Sequence, residues 1–176
     1  MRMEDHLRAG STAHPAGTAI VDGARRVSYQ ELSEASDGLA AWLLASGVAP
    51  GDRVMVCAGN GWETAAAFFA VWKAGAVLCP LHPSTKARRV SWILDDCRPA
   101  AIVVDARGAR PVAEALDAAL GERPPVVALR PHPLLPKAAD FAHCAAMNPG
   151  NRAGRDLSDR ALATIVYTSG STGEAK

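Results

Sequence analysis

The residue types best suited to chemistry gather in one stretch, Tyr167–Lys176, which reads YTSGSTGEAK. Thr168, Ser169, Ser171 and Thr172 carry hydroxyls, Gly170 and Gly173 are interspersed with them, and Lys176 brings a positive charge. Glycine admits backbone conformations that turn successive N–H groups toward one point, a nest for an anion. Hydroxyls donate further hydrogen bonds to phosphate oxygens, and a lysine ammonium is a compact counter-charge. Together these types suit the holding of a polyphosphate. A Ser/Gly tail that binds nothing is the plainer alternative. The apolar run ALATIVY, Ala161–Tyr167, leads straight into the stretch and favours a strand followed by a binding loop.

Three other arrangements fit worse. A Walker loop needs Lys directly after its second glycine, but Gly173 is followed by Glu174 and Ala175. A nucleophile elbow needs glycines two residues to both sides of the serine, and neither Ser169 nor Ser171 has them. No G-x-G-x-x-G dinucleotide fingerprint with an acidic partner is present.

The elements that must carry such a loop are punctuated clearly. TAIVDGARRVSY reads as a hairpin turning at Asp22-Gly23. Ser28 and Glu31 have the spacing of a capping box that opens a helix, with Leu32, Ala35, Leu39, Trp42 and Leu43 on one face. Gly47 and Pro50 stop it. RVMVCA is a strand, and Asn60 is the expected cap of a second helix with Glu63 in its first turn and Lys73 in its last. AVLCPL is a strand, Ser84–Cys97 a third helix, AAIVVD a strand, RPVAEALDAAL a helix and PVVAL a strand. This alternation predicts an α/β fold, a mainly parallel sheet with flanking helices. The proline-rich stretch Arg130–Pro136 and the polar stretch Asn148–Asp156 read as surface loop, making residues 130–158 loop-rich.

Composition narrows the function classes. Of 176 residues, 49% are hydrophobic and the net charge is +1, which suits a globular core and gives no reason to expect nucleic acid as a partner. The longest apolar run, near Ala65–Trp72, is too short for a membrane span, and MRMEDHLRAG is not a signal sequence. Cys57, Cys79, Cys97 and Cys144 are scattered, so reduced core thiols of a cytoplasmic protein are expected. The five histidines have no ligand spacing, and no metal-binding residue is assigned. Lys86, Arg88 and Arg89 read as a solvated helix face, with contact to an anion such as a coenzyme A phosphate as the alternative.

YTSGSTGEAK resembles the phosphate loop of the adenylate-forming superfamily, [YF]-[ST]-S-G-[ST]-T-G-x-P-K-G. This superfamily includes acyl-CoA and aryl-CoA synthetases, adenylation domains of nonribosomal peptide synthetases, and luciferases. VSYQEL (Val27–Leu32), PGDRV (Pro50–Val54), WKAGAVLCPLHP (Trp72–Pro83) and the pair Asp159 and Ala161 resemble further family motifs, in the same order. The resemblance implies that the chain, 1–176, is the N-terminal part of the large domain of an AMP-binding, or adenylation, domain. The activity it implies is activation of a carboxylic acid with ATP and Mg2+, forming an acyl-adenylate and releasing pyrophosphate. The acyl group would then pass to a thiol, of coenzyme A or of carrier-protein pantetheine.

Carried over by position, Thr168, Ser169, Gly170, Ser171, Thr172, Gly173 and Lys176 would hold the β- and γ-phosphates, with Lys176 the catalytic charge on the leaving group. Ala175 stands where the family has proline, and His82 where it commonly has Asp or Asn. The family's adenine-, ribose- and magnesium-binding segments and its catalytic C-terminal domain follow this motif and lie outside the chain. The chain alone is therefore expected to be inactive. HPSTKARRVSWILDDCRPAAIVV looks acyl-CoA-ligase-like. A peptide-synthetase adenylation domain is one alternative, and a non-catalytic or split-enzyme module that needs a complementary C-terminal polypeptide is the other.

Overall fold

Gly23, at φ +58°, turns Thr18–Asp22 (β1) back on Arg25–Ser28 (β2), the hairpin that the sequence predicts. In the computed structural model, residues 2–119, 121, 123–148 and 160–168 are described. A first helix, Met3–Ala13 (α1), precedes the hairpin and buries Leu7. The sequence reading did not anticipate it.

Ser28 caps the helix Tyr29–Ala45 (α2), its hydroxyl accepting from the Glu31 N–H at 3.1 Å. Glu31 does not complete the predicted box; its carboxylate turns instead to the Arg25 guanidinium. Leu32, Ala35, Leu39 and Leu43 are buried along one face as expected.

Arg53–Cys57 (β3), Val77–Leu81 (β4), Ala101–Val104 (β5), Val126–Ala128 (β6) and Ala139–Asp140 (β7) form a five-stranded parallel sheet in the order β4-β3-β5-β6-β7. Between them run Trp62–Lys73 (α3), Ala87–Cys97 (α4) and Ala109–Ala118 (α5). Side chains alternate along each strand, so one sheet serves two cores. Val54, Val56, Leu78 and Val103 join α2, α3 and the hairpin. Met55, Cys57, Cys79, Ile102 and Val104 join α4 and α5. The expected mainly parallel α/β architecture is what the chain adopts.

Two helix starts differ from expectation, and one short helix lies where loop was expected. Asn60 does not cap α3: the N-cap is Gly61, and the Asp22 carboxylate, reaching over from the hairpin, accepts from the Trp62 N–H at 3.1 Å. An ionised acceptor at the positive end of a helix outcompetes a neutral amide. α4 starts at Ala87 rather than Ser84, because His82 closes a turn first; its carbonyl accepts from Thr85 N and its ring Nδ1 from Ser84 N. His82 thus does what an Asp or Asn side chain does in an Asx-turn, which accounts for its place in this sequence. Within the stretch 130–158, β7 leads into a short helix, Phe141–Ala145 (α6), capped by Asp140. Residues 149–158 of that stretch lie outside the described residues.

Lys73 serves packing as well as the helix end. Its ammonium turns onto α2, donating to Ser33 O, Ser33 Oγ and Ser36 Oγ and pairing with Asp37 at 3.1 Å.

Candidate functional site

Residues 163–168 run along the open edge of β4. Leu78 N donates to Ala163 O at 3.0 Å, and Ile165 N donates to Leu78 O at 2.9 Å, so Thr164 is bridged to Leu78 in parallel. Trp72 Nε1 adds a bond to Ala163 O at 3.0 Å. Because the segment is parallel to β4, it emerges at the carboxyl ends of the strands, where open α/β sheets bind their ligands.

The expected strand over 161–167 is only this one bridge. The reason lies in β4. Alternate residues of a strand face the same neighbour. Leu78 faces the new segment, so position 80 does too, and it is Pro80, which has no N–H to donate. The ladder stops there.

Beyond the bridge, side chains of α4 take over. The Tyr167 hydroxyl donates to Asp96 Oδ2 at 2.6 Å, and its ring meets Trp92 edge-on at 5.8 Å between centroids. Arg89 donates from its guanidinium to Thr168 O at 2.9 Å. Ile165 and Tyr167 pack on the α4–α5 core, whereas Val166 is 61% exposed. Burial, then the bond to Asp96, pushes the Tyr167 phenol above its ordinary pKa. Beneath it, the buried thiol of Cys79 shares a hydrogen bond with Cys97, and that bond, with burial, raises its pKa. All four cysteines are free and buried, as the sequence suggested.

Of the predicted phosphate ligands, Thr168 is exposed at the end of this segment, and its carbonyl is already engaged by Arg89. Ser169, Gly170, Ser171, Thr172, Gly173 and Lys176 lie outside the described residues. Sequence reasoning missed Trp92 and Asp96, and it placed Arg89 on a solvated face. Arg88 is exposed as expected, but Arg89 is not simply a solvated charge. The signal that could have found them is their spacing, which places all three on one stripe of α4 beside the buried face of Val90, Ile93, Leu94 and Cys97.

The crevice between β3 and β5 is the switch point of the sheet, where the strand order reverses. It is filled from within. Asp105 accepts from Gly59 N at 2.9 Å and Gly108 N at 2.7 Å and faces Arg107 at 3.5 Å. Burial, then the charge of Asp105, pushes the nearby Cys57 thiol up to about 12. A groove of about 520 Å³ lined by Leu94, Arg98, Leu116 and Arg123 lies at the other, amino end of the strands. No group of three potential metal ligands occurs among the described residues, and no helix among them is long and apolar enough to cross a membrane.

Residues 7–176 match the family described as AMP-binding enzyme. The chain belongs to that family. It is 34% identical over 165 residues to malformin synthetase mlfA of Aspergillus tubingensis (strain CBS 134.48), covering 94% of this chain and 3% of that protein. It is 32% identical over 175 residues to a dimodular nonribosomal peptide synthase of Bacillus subtilis (strain 168), covering 99% of this chain and 7% of that protein. Among solved structures, a Mycobacterium tuberculosis fatty acyl CoA synthetase superposes with a TM-score of 0.77 at 27% identity, over 96% of this chain and 32% of that one. The chain thus spans a small part of the AMP-binding enzymes it resembles.

Proposed function

We propose that residues 1–176 form the N-terminal part of the large domain of a carboxylate-activating, adenylate-forming enzyme, with the loop Thr168–Lys176 holding the β- and γ-phosphates of ATP. The observation that carries this is the parallel docking of 163–168 on β4, which aims the loop's first residue at the carboxyl end of the sheet. In the reaction, a carboxylate oxygen attacks the α-phosphorus, the bond to the β-phosphate oxygen breaks, and pyrophosphate leaves. Ser169, Ser171, Thr172 and the backbone N–H groups around Gly170 and Gly173 would stabilise charge growing on that leaving group, with Lys176 as counter-charge. Mg2+ would share that load when bound. Removing one such preorganised donor costs on the order of 10²–10³ in rate.

This chain by itself is inactive in this reading, because a phosphate loop without base and ribose contacts supplies little affinity. A complementary polypeptide with the downstream segments completes it. For the thiol acceptor, the peptide synthase relative supports carrier-protein pantetheine and the fatty acyl CoA synthetase structure supports coenzyme A. The test is amide NMR of the labelled chain titrated with magnesium tripolyphosphate to about 10 mM, beyond the weak end of specific binding. Shifts confined to 168–173, lost in Lys176→Ala, are expected; no shift at these amides rejects the phosphate loop. Carboxylate-dependent ATP–pyrophosphate exchange is expected only after the downstream polypeptide is added. Exchange by the chain alone would overturn its assignment as inactive.

A further inference from the structure

We infer that Arg89, Trp92 and Asp96 of α4 are positioning residues that fix the approach to the phosphate loop, replacing the ladder bond that Pro80 withholds. The purpose rests on the phosphate-loop reading; the geometry does not. After Ile165 N–H is bonded to Leu78 O, the next ladder bond would run from residue 80 to Ile165 O, and Pro80 has no donor to make it. Past that point the polar contacts described above all go to α4. Asp96 takes the Tyr167 hydroxyl at 2.6 Å, Trp92 meets its ring edge-on, and Arg89 takes the Thr168 carbonyl at 2.9 Å.

The arrangement differs from a ladder in one useful respect. A strand continued by backbone bonds would turn Tyr167 toward β4 and Thr168 away from it in strict alternation. A guanidinium on a long stem grips one carbonyl from the side and requires no partner strand beyond Thr168. The nest proposed for phosphate needs the N–H groups of its residues pointing at the ligand rather than at a neighbouring strand. Arg89 also closes the carbonyl of Thr168, an oxygen that would otherwise present negative partial charge beside a bound anion. Trp92 is 43% exposed, so the brace lies at the surface of the described residues rather than within the core.

The test uses the 176-residue chain and a cycle of variants, Arg89→Ala, Arg89→Lys, Pro80→Ala and the double variant that combines Pro80→Ala with Arg89→Ala. Two readouts are taken: exchange of the Ile165 and Tyr167 amides without ligand, and the affinity for magnesium tripolyphosphate. Arg89→Ala is expected to speed exchange about tenfold, the worth of one hydrogen bond to a charged donor, and to weaken the anion by about fivefold or more. Arg89→Lys keeps a donor and recovers part of both. The decisive variant is the double one, because replacing Pro80 supplies the missing N–H and the ladder can lengthen. Its exchange and anion affinity are expected to return toward the unaltered chain although the Arg89 charge is gone.

If the double variant is as loose and weak as Arg89→Ala or worse, the effects are independent and the inference is overturned. If Arg89→Lys recovers anion affinity fully and the double variant recovers none, Arg89 acts as a charge on the anion and not through Thr168, which also overturns it. If tripolyphosphate perturbs no loop amide even in the unaltered chain, the phosphate-loop reading fails, while the exchange rates still decide whether α4 braces the segment.

Discussion

Two places at the carboxyl ends of this sheet could receive a ligand, and they are built in opposite ways. At the switch point between β3 and β5, Asp105 bonds the N–H groups of Gly59 and Gly108, so the protein's own carboxylate occupies the position that doubly wound folds give to a ligand anion. At the outer edge of β4, the segment 163–168 is held by one bridge, the Trp72 indole and three side chains of α4, and the sequence runs on into the Ser/Thr/Gly stretch. The first place is closed and cohesive. The second is a braced extension. The segment that leads to the proposed phosphate loop thus lies at an edge rather than in the crevice, where topology would put a ligand.

The contrast breaks most readily at Asp105. Asp105→Ala strands two backbone N–H groups that now share a charged acceptor, and bonds to charged groups contribute about 1.5–3 kcal/mol each. A loss of about 3 kcal/mol in urea unfolding is expected, with Asp105→Asn intermediate because one acceptor oxygen remains. A loss well below about 1 kcal/mol, less than one ordinary hydrogen bond, would show that the crevice is not held by this carboxylate. Gly108→Ala probes the same place sterically. A Cβ there would stand 2.6 Å from Cys57 O and 2.9 Å from Cys57 Sγ. The nearer atom is backbone of β3 and cannot swing away, so about 2 kcal/mol of destabilisation is expected, in the range of overpacked cores. A neutral result would mean that the two strand ends separate freely.

Alkaline pH separates the regions by a smaller margin. The Cys57 thiol is pushed up to about 12 from an ordinary 9.0, so the folded chain holds that proton where the unfolded chain releases it. The unfolded state then binds fewer protons, and stability falls as pH rises from about 9 toward 12. Cys57→Ala should flatten this slope by at most about 1.4 kcal/mol per pH unit, the value for one proton. Tyr167 is raised and Cys144 is pushed up to about 11, so a shallower slope persists. Unchanged steepness in Cys57→Ala, measured by urea unfolding across that window, would contradict the burial of this thiol beside Asp105.

The closed crevice and the braced edge were not equally legible in the sequence. RVMVC, VLCPL and AIVV announce themselves as buried strands, and the glycines and prolines between them mark the crossovers. The chemistry proposed for the loop is local as well, since hydroxyls, glycines and a lysine within one short stretch would carry it. What could not be read is who touches whom at long range. Asp22 caps a helix 40 residues away, and Arg89 bonds a carbonyl 79 residues away. A charge on a helix looks solvated until the segment that passes it is placed. Pro80 carries its meaning only once β4 is known to face a newcomer on its outer side. α1 escaped notice for a different reason: in MEDHLRAGSTA only Met3 and Leu7 are large and apolar, too few to mark a buried face.

The smallest expected effect is the sharpest test of the distinction. Tyr167→Phe deletes the hydroxyl that reaches Asp96 and leaves the ring against Trp92. One hydrogen bond contributes about 1 kcal/mol. If the edge is a braced extension, that loss belongs to a local opening and not to global unfolding, because segments with few buried contacts open with their own, smaller free energy. Exchange of the Ile165 amide should therefore quicken about fivefold while the urea midpoint stays put. A midpoint that falls in step with the exchange rate would place the edge inside the cooperative core. Crevice and edge would then be one structure, and the loop's approach would be set by the whole fold, leaving α4 no special part in aiming it.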